Sequence, residues 1–226
     1  MKYEYLIFNI IVLSGPLFFG SLKKFYFLDK YKYALFSVVI SAIPFIIWDV
    51  IVTDRHWFFA EQYTLGFRIL GLPLEEILFF ITVPYACLFT WQMLKNFSSD
   101  YSSSGKSYTN KILVFSFTII ALAIINFISG KEYTGLAFFF FCISILFDFY
   151  LGSKVIIKKI FVYYFLLVSI FTLIFNGYLT WRPIVTYDSL YQLDFRIFTI
   201  PVEDFFFGYA LIIFATSIFE KISQAE

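Results

Sequence analysis

The chain has 226 residues, of which 61% are hydrophobic and 15% are charged, and its mean hydropathy is +0.82. Soluble domains are nearer half apolar and a quarter charged, so this composition excludes an ordinary soluble protein and indicates an integral membrane protein. The net charge of +1, without any nucleic-acid-binding motif, indicates that neither DNA nor RNA is a partner.

Seven apolar stretches along the chain are long enough, or nearly so, to cross a bilayer as helices. They cover residues 4–20, 34–52, 73–93, 111–129, 134–151, 160–179 and 200–219. The polar, Ser-rich stretch at 98–107 is typical of a flexible loop between two halves. We therefore predict an all-α integral membrane protein with about seven transmembrane helices.

The distribution of lysine and arginine predicts the orientation in the cell membrane. If the N-terminus lies outside, eleven of these residues fall on the cytoplasmic side and six on the other side. Cytoplasmic loops carry the excess of positive charge in multi-pass proteins, which favours an external N-terminus and a cytoplasmic C-terminus.

Two similar acidic segments begin the third and the last predicted span. Residues 72–80 read LPLEEILFF, and residues 200–208 read IPVEDFFFG. An even number of spans separates the two segments, so both should face the same leaflet.

The similarity extends beyond these segments. FRILGLPLEEILFF (67–80) aligns with FRIFTIPVEDFFFG (195–208) without a gap, and WDVIVT (48–53) resembles FNGYLT (175–180). We expect two parallel three-helix repeats plus a connecting helix, related by an axis along the membrane normal, with a site at their interface. The predicted units are 1–97 for the first repeat, 98–133 for the Ser-rich loop and connecting helix, and 134–226 for the second repeat.

Adjacent carboxyl groups at membrane depth suit acid–base chemistry. Two carboxyl groups a few ångströms apart do not both ionise easily, so one can act as a general acid while another acts as a base. This hypothesis makes Glu75, Glu76, Glu203 and Asp204 the candidate catalytic residues. The alternative is structural, because proline followed by acidic residues is also a favourable helix start.

The surroundings of the acids suggest substrate contacts. Asp49 and Asn176, at the ends of the preceding spans, should lie at a similar depth. Phenylalanines follow each motif at helical spacing, where a ring face can stabilise a cation without reacting with it. The candidate substrate-binding residues are Asp49, Phe79, Phe80, Asn176, Phe206 and Phe207.

The sequence predicts neither a cofactor nor a metal. The single histidine, His56, lies in a loop and does not supply a structural zinc site or a bis-His haem. No dinucleotide-binding Gly-x-Gly-x-x-Gly, P-loop or Gly-x-Ser-x-Gly elbow occurs.

PLEE followed by two phenylalanines, and TIPVED followed by aromatics, resemble the paired signatures of the transmembrane, flavin-independent lycopene cyclase family in its fused form. SLKKFYF (21–27), IIWD (46–49), VPYACLFTW (83–91) and IFE (218–220) are also similar to that family, so the resemblance covers nearly the whole chain. It implies a redox-neutral, proton-initiated cyclisation of the end groups of lycopene, a polyene taken from the lipid bilayer, to β-rings, giving β-carotene through γ-carotene. The family motifs fall on Pro73, Glu75, Glu76, Pro201, Glu203 and Asp204, without distinguishing acid from base.

Other interpretations stay open at the level of sequence. The loops at 54–63 and 193–196 depart from the family pattern, which leaves ring type and substrate preference open. A small membrane transporter or proton-conducting protein would also use intramembrane carboxylates, although the spans offer few internal polar residues apart from Asn126 and Asp148. The remaining alternatives are an intramembrane prenyltransferase, whose Asp-rich magnesium motifs are missing, and a structural membrane subunit. The sequence does not indicate an oligomeric state.

Overall fold

The computed structural model describes residues 2–22, 24–25, 27–98 and 106–223, with residues 106–109 described by their backbone. Most of the predicted Ser-rich loop, residues 99–105, lies outside these ranges.

Each of the seven predicted spans is a helix. Their bounds are α1 Glu4–Gly20, α2 Tyr31–Val52, α3 Leu74–Phe97, α4 Lys106–Ile128, α5 Glu132–Leu151, α6 Ile160–Phe171 and α8 Val202–Ser223, with α6 continuing through a π-helical turn, Thr172–Asn176, into α7 Gly177–Trp181. Within the described chain six spans are long and apolar enough to cross a membrane. The remaining helix, α1, has 17 residues and is about 25 Å long, near the lower limit for spanning the hydrocarbon core. The predicted all-α membrane fold is confirmed.

Short strands, which the sequence pattern does not predict, precede both acidic motifs. They are β1 Trp57–Phe59, β2 Arg68–Ile69, β3 Leu72–Pro73, β4 Val185–Tyr187, β5 Arg196–Ile197 and β6 Ile200–Pro201. The pairs β2–β3 and β5–β6 are tight antiparallel hairpins. Each hairpin ends at the proline of its motif, so the chain turns directly from the hairpin into a membrane helix.

The two repeats are visible in the fold. Trp57 corresponds to Val185, Arg68 to Arg196, and Leu74 to Val202, all at one constant spacing. Strand β1 of the first repeat pairs antiparallel with β4 of the second, so that Trp57 lies opposite Tyr187 and Phe59 lies opposite Val185. Because β1 and β4 occupy equivalent positions in the two repeats, this two-stranded sheet lies on the pseudo-twofold axis that relates the repeats. It therefore joins them.

Reciprocal ion pairs also join the repeats at this end of the bundle. Arg182, at the end of α7, donates from Nε to Glu4 Oε1 at the start of α1 over 2.6 Å, and its guanidinium lies 5.1 Å from the Tyr63 ring centre. The same arrangement recurs with the repeats exchanged, in Glu132, Arg55 and Tyr191. Each repeat therefore holds the first helix of the other.

Helix α8 is the most deeply buried span, whereas the connecting helix α4 is the most exposed. Helix α4 packs closely on α5 at Gly135, where an added Cβ would lie 2.7 Å from the Ala123 carbonyl oxygen. Small residues allow such close approach between membrane helices. The site-bearing helices α3 and α8 thus lie inside the bundle, and α4 lies at its edge.

The opposite end of the bundle is closed by a buried charge cluster. Glu220 of α8 accepts hydrogen bonds from Lys158 over 2.7 Å, Lys95 over 2.5 Å and the indole N–H of Trp91 over 2.8 Å. A carboxylate with several charge-assisted donors is stable when buried. This cluster ties the ends of α3 and α8 to the segment between α5 and α6.

Candidate active site

The two acidic motifs begin helices in the same way. Helix α3 begins at Leu74, directly after Pro73, and α8 begins at Val202, directly after Pro201. The acidic residues therefore lie in the first turn, where the helix dipole favours negative charge. Adjacent residues project about 100° apart around a helix, so the two acids of one motif point to different surroundings.

The first acid of each motif binds a loop backbone. Glu75 Oε1 accepts a hydrogen bond from the Leu65 amide over 2.5 Å. Glu203 Oε1 accepts one from the Leu193 amide over 2.8 Å and another from the Thr134 hydroxyl over 2.6 Å. Glu75 and Glu203 are fully buried. These contacts hold the loop that leads into each hairpin.

The second acid of each motif faces a cavity between the repeats. Glu76 accepts a hydrogen bond from the Tyr5 hydroxyl of α1. In the second repeat Asp204 Oδ1 accepts one from the Tyr133 hydroxyl of α5 over 2.5 Å. The Tyr5–Glu76 and Tyr133–Asp204 pairs are equivalent in the repeat, and both acids line one cavity. The two motifs thus meet at a single site.

Asp204 has two further donors. Its Oδ2 accepts hydrogen bonds from the Asn176 amide and the Tyr187 hydroxyl, each over 2.7 Å. Burial, together with the negative charge of Asp204, raises the pKa of Tyr187, which keeps its hydroxyl protonated as a donor. With Tyr133, three groups donate to this carboxyl group, and such donors stabilise its ionised form.

Asp49 contributes a third acid from the end of α2. It is buried and lines the same cavity, as does Trp57. Its Oδ2 atom has no partner within the described residues. Asp49 and Asn176 lie at corresponding places on the cavity, as the alignment of the two repeats predicts.

The cavity has a volume of about 580 Å³, and half of the residues that line it are aromatic. Of the predicted substrate-binding residues, Asp49, Phe79, Phe80, Asn176 and Phe207 line it, as do the predicted acids Glu76 and Asp204. Phe206, Glu75 and Glu203 do not line it. Phe206 packs instead on Phe138 and Phe141, with ring centres 4.8 and 5.4 Å away.

Among the cavity residues that were not predicted from the sequence, four have a hydrogen-bond donor in the side chain: Tyr5, Trp57, Tyr133 and Tyr187. For two of them a signal was present. A Glu-Tyr dipeptide begins both the first and the fifth span, at positions 4–5 and 132–133. In both, the glutamate forms the ion pair between repeats and the tyrosine reaches the acid. Trp57 and Tyr187 lie in the short strands β1 and β4, which neither periodicity nor motif indicated.

The single histidine belongs to the repeat interface and not to the cavity. His56 is buried and stacks on Tyr191, with ring centres 4.1 Å apart, and its Nε2 lies 3.2 Å from Glu132 Oε2. Burial, reinforced by the charge of neighbouring Arg55, lowers the pKa of His56 to about 4. The ring is therefore neutral at physiological pH.

This arrangement combines proton donors and acceptors with an apolar chamber. Carboxyl groups from both repeats can exchange protons with a bound molecule, while aromatic faces stabilise a positive charge between them. Among the described residues, no group of three or more His, Cys, Asp or Glu side chains has the arrangement of a metal site. The chamber suits an uncharged hydrocarbon that becomes cationic during the reaction.

Comparison with known proteins identifies the family. The sequence model described as lycopene cyclase matches two segments of the chain, residues 2–94 and 130–222, which together make up most of it. No curated protein and no solved structure matches the chain. The matched segments are the two repeats. The chain belongs to the lycopene cyclase family as a fused two-repeat member, which makes it a membrane enzyme that cyclises a carotenoid substrate.

Proposed function

We propose that the protein is a lycopene β-cyclase, an isomerase that converts the linear end groups of lycopene to β-rings and forms β-carotene through γ-carotene. The observation that carries the proposal is the meeting of Asp49, Glu76 and Asp204, from both repeats, on one aromatic cavity. Ring closure without oxidation or reduction requires one proton to enter and another to leave, and this set of acids can do both.

The proton enters from the side of Glu76 and Asp49. Glu76 has Tyr5 as its donor, and Asp49 Oδ2 has no partner in the described chain. A buried carboxyl group with few donors holds a proton more readily than one with several. This proton adds to the terminal double bond of the substrate and leaves a tertiary carbocation.

The cavity walls protect the cation while the ring closes. The neighbouring double bond attacks the cationic carbon, a carbon–carbon bond forms, and the positive charge moves into the new ring. Phe79, Phe80 and Phe207 line the cavity, and their ring faces stabilise a cation without adding to it. The apolar walls also exclude water, which would trap the cation as an alcohol.

The proton leaves to Asp204. Three hydrogen bonds, from Tyr133, Tyr187 and Asn176, stabilise this carboxyl group as a carboxylate. Removal of a proton from the ring carbon beside the cation forms the ring double bond. The position of the base relative to the ring selects which proton is lost, so Asp204 would determine that the ring is of the β type.

The orientation in the cell membrane follows from the charge distribution. We propose an external N-terminus and a cytoplasmic C-terminus, which puts the acid cavity near the external leaflet and the cluster around Glu220 near the cytoplasmic one.

The test is expression in a host that accumulates lycopene, with chromatography of the extracted pigments. The parent chain should yield γ-carotene and β-carotene, whereas Glu76→Gln and Asp204→Asn should each lose about 10²–10⁴ in rate, the usual contribution of a general acid or base. A well-expressed, folded parent chain that leaves lycopene linear would refute the proposal. A ring with its double bond at another position would refute the β assignment.

A further inference from the structure

A second, apolar groove adjoins the acid cavity. It has a volume of about 640 Å³ and lies between α1, α3, α6 and α8, with Val12, Val83, Ala86 and Phe171 among its walls. Val83, Ala86 and Phe171 are only half-buried, so the groove is open along one side. In a membrane span this open side faces lipid.

The groove and the cavity share one wall. Phe79, Asn176, Asp204, Gly208 and Leu211 line both. The polar members of this set, Asn176 and Asp204, lie at the shared end. The two spaces therefore lie next to each other along one path, acidic at one end and apolar along the rest.

The length of this path can be measured along helix α3. This helix lines the cavity at Glu76 and the groove as far as Cys87, which at 1.5 Å per residue is about 16 Å along the helix. This is roughly half of the 30 Å hydrocarbon core. A long chain with one end at the acids would therefore extend toward the middle of the bilayer.

The π-helical turn shapes the groove. It covers Thr172–Asn176, and its two ends have different neighbours. Thr172, Phe175 and Asn176 line the groove, and of these only Asn176 also lines the acid cavity, where it donates to Asp204. A π-helical turn changes the direction of the side chains that follow it and often occurs at functional sites.

We propose that this groove binds the unreacted remainder of the polyene while one end group lies in the acid cavity, with Gly208 forming the passage between them. The inference rests on the proposed function and extends it, because a molecule with one end group in the acid cavity and the remainder in the groove closes one ring per binding event. The occupant is a long hydrocarbon, since the groove is apolar, open to lipid and adjacent to the acid cavity. After the first ring closes, the molecule must leave and bind again by its other end.

Gly208 offers a sharp test of the passage. A Cβ built at Gly208 meets no atom within 4 Å, so a larger side chain fits the fold and fills the junction of the two spaces. Gly15 of α1 is a matched control, because its Cβ also meets no atom within 4 Å and it lines neither space. Ala86→Leu is a second variant, since Ala86 lines the groove but not the acid cavity.

The experiment measures binding separately from turnover. Parent chain, Gly208→Leu, Ala86→Leu and Gly15→Leu are purified in mild detergent from the lycopene-accumulating host, and the pigment retained per protein is measured by absorbance together with the thermal unfolding temperature. Gly208→Leu and Ala86→Leu should retain at least about tenfold less pigment, while Gly15→Leu should match the parent. Turnover of lycopene should fall in parallel with retention.

The possible results distinguish failure of the groove proposal from failure of the proposed function. A folded Gly208→Leu protein that retains and cyclises lycopene like the parent overturns the groove and leaves the proposed function intact. If Gly208→Leu does not fold, normal retention by folded Ala86→Leu has the same meaning. A parent chain that retains lycopene without cyclising it, with retention lost in the two groove variants, supports the groove and refutes the proposed function. A parent chain that retains no pigment overturns the groove.

Discussion

At the scale of single residues, the two acids of each motif have different surroundings. Glu75 and Glu203 accept hydrogen bonds from loop amides, whereas Glu76 and Asp204 face the cavity. The sequence treats the four as equivalent, because adjacent acids in a helix start look alike. Their direction depends on how α3 and α8 are rotated within the bundle, which packing decides.

This difference predicts that the two acids of each motif contribute unequally to activity. Glutamine at position 75 or 203 keeps an oxygen that accepts the loop amide, so Glu75→Gln and Glu203→Gln should lose less activity than Glu76→Gln and Asp204→Asn, which remove a cavity carboxyl group. The losses at the cavity should be about 10²–10⁴. Initial rates on lycopene in purified, folded variants compare the four losses of activity. Equal losses at the two acids of one motif would contradict the prediction.

His56 predicts an acid-sensitive repeat interface. Its pKa is lowered to about 4 in the folded protein, against about 6.5 in an unfolded chain. Between these values the unfolded chain binds a proton that the folded chain does not, so His56 lowers stability as pH falls from about 6.5 to about 4. Above pH 6.5 this contribution is constant.

The check is thermal unfolding of the parent chain and His56→Gln across pH 7.5 to 4.5. Glutamine does not titrate, so the unfolding temperature of the parent should fall more steeply than that of the variant below pH 6.5. The carboxyl groups titrate in both proteins, so the difference between the two unfolding curves gives the contribution of His56. Parallel curves would show that His56 does not titrate differently on folding.

At the scale of elements, the hairpins carry backbone strain at their tips. Leu70 has φ +52° and Phe198 has φ +61°, the left-handed region that costs a residue with a side chain about 1–2 kcal/mol. Both side chains are largely exposed. The hairpins must turn within two residues for the proline and the acids to begin α3 and α8 at the cavity.

Glycine at position 70 should therefore stabilise the protein. Relief of about 1–2 kcal/mol exceeds the roughly 0.5–1 kcal/mol entropic cost of glycine, and Leu70, 79% exposed, has little packing to lose. Leu190 is also mostly exposed but does not have a positive φ, so Leu190→Gly should destabilise. Thermal unfolding in detergent compares the two, and a destabilising Leu70→Gly would show that the tip side chain makes a stabilising contact.

At the scale of the whole molecule, the repeats exchange contacts. Glu4 of the first repeat pairs with Arg182 of the second, Glu132 pairs with Arg55 in return, and β1 pairs with β4. All of these contacts lie at the end of the bundle that carries the acids. The site thus exists only when both repeats are assembled, since each contributes carboxyl groups to one cavity.

The fold predicts that both hairpins face one side of the membrane. Phe67 and Phe195 are exposed at equivalent positions, so cysteine at either position should react with an impermeant thiol reagent from the same side, which is the external side in the orientation we propose. Asp29, exposed between α1 and α2, should be labelled as Asp29→Cys only from the other side. The native cysteines, Cys87 and Cys142, are buried and give little background. Labelling of the two hairpins from opposite sides would contradict the parallel repeats.

Hydropathy and motif spacing are sufficient to predict the spans, the repeat and the place of the motifs. Backbone groups in lipid must be satisfied within the helix, and the thickness of the bilayer sets how long an apolar helix must be, so hydropathy is sufficient to find α2 and α8. The spacing of PLEE and PVED likewise placed both motifs at one end of the bundle. Which carboxyl groups face the cavity, and which side chains donate to them, is visible only in the folded protein. Tyr5 and Glu76, or Tyr133 and Asp204, are far apart in the chain, and whether they meet depends on the rotation and packing of whole helices, which no local pattern records.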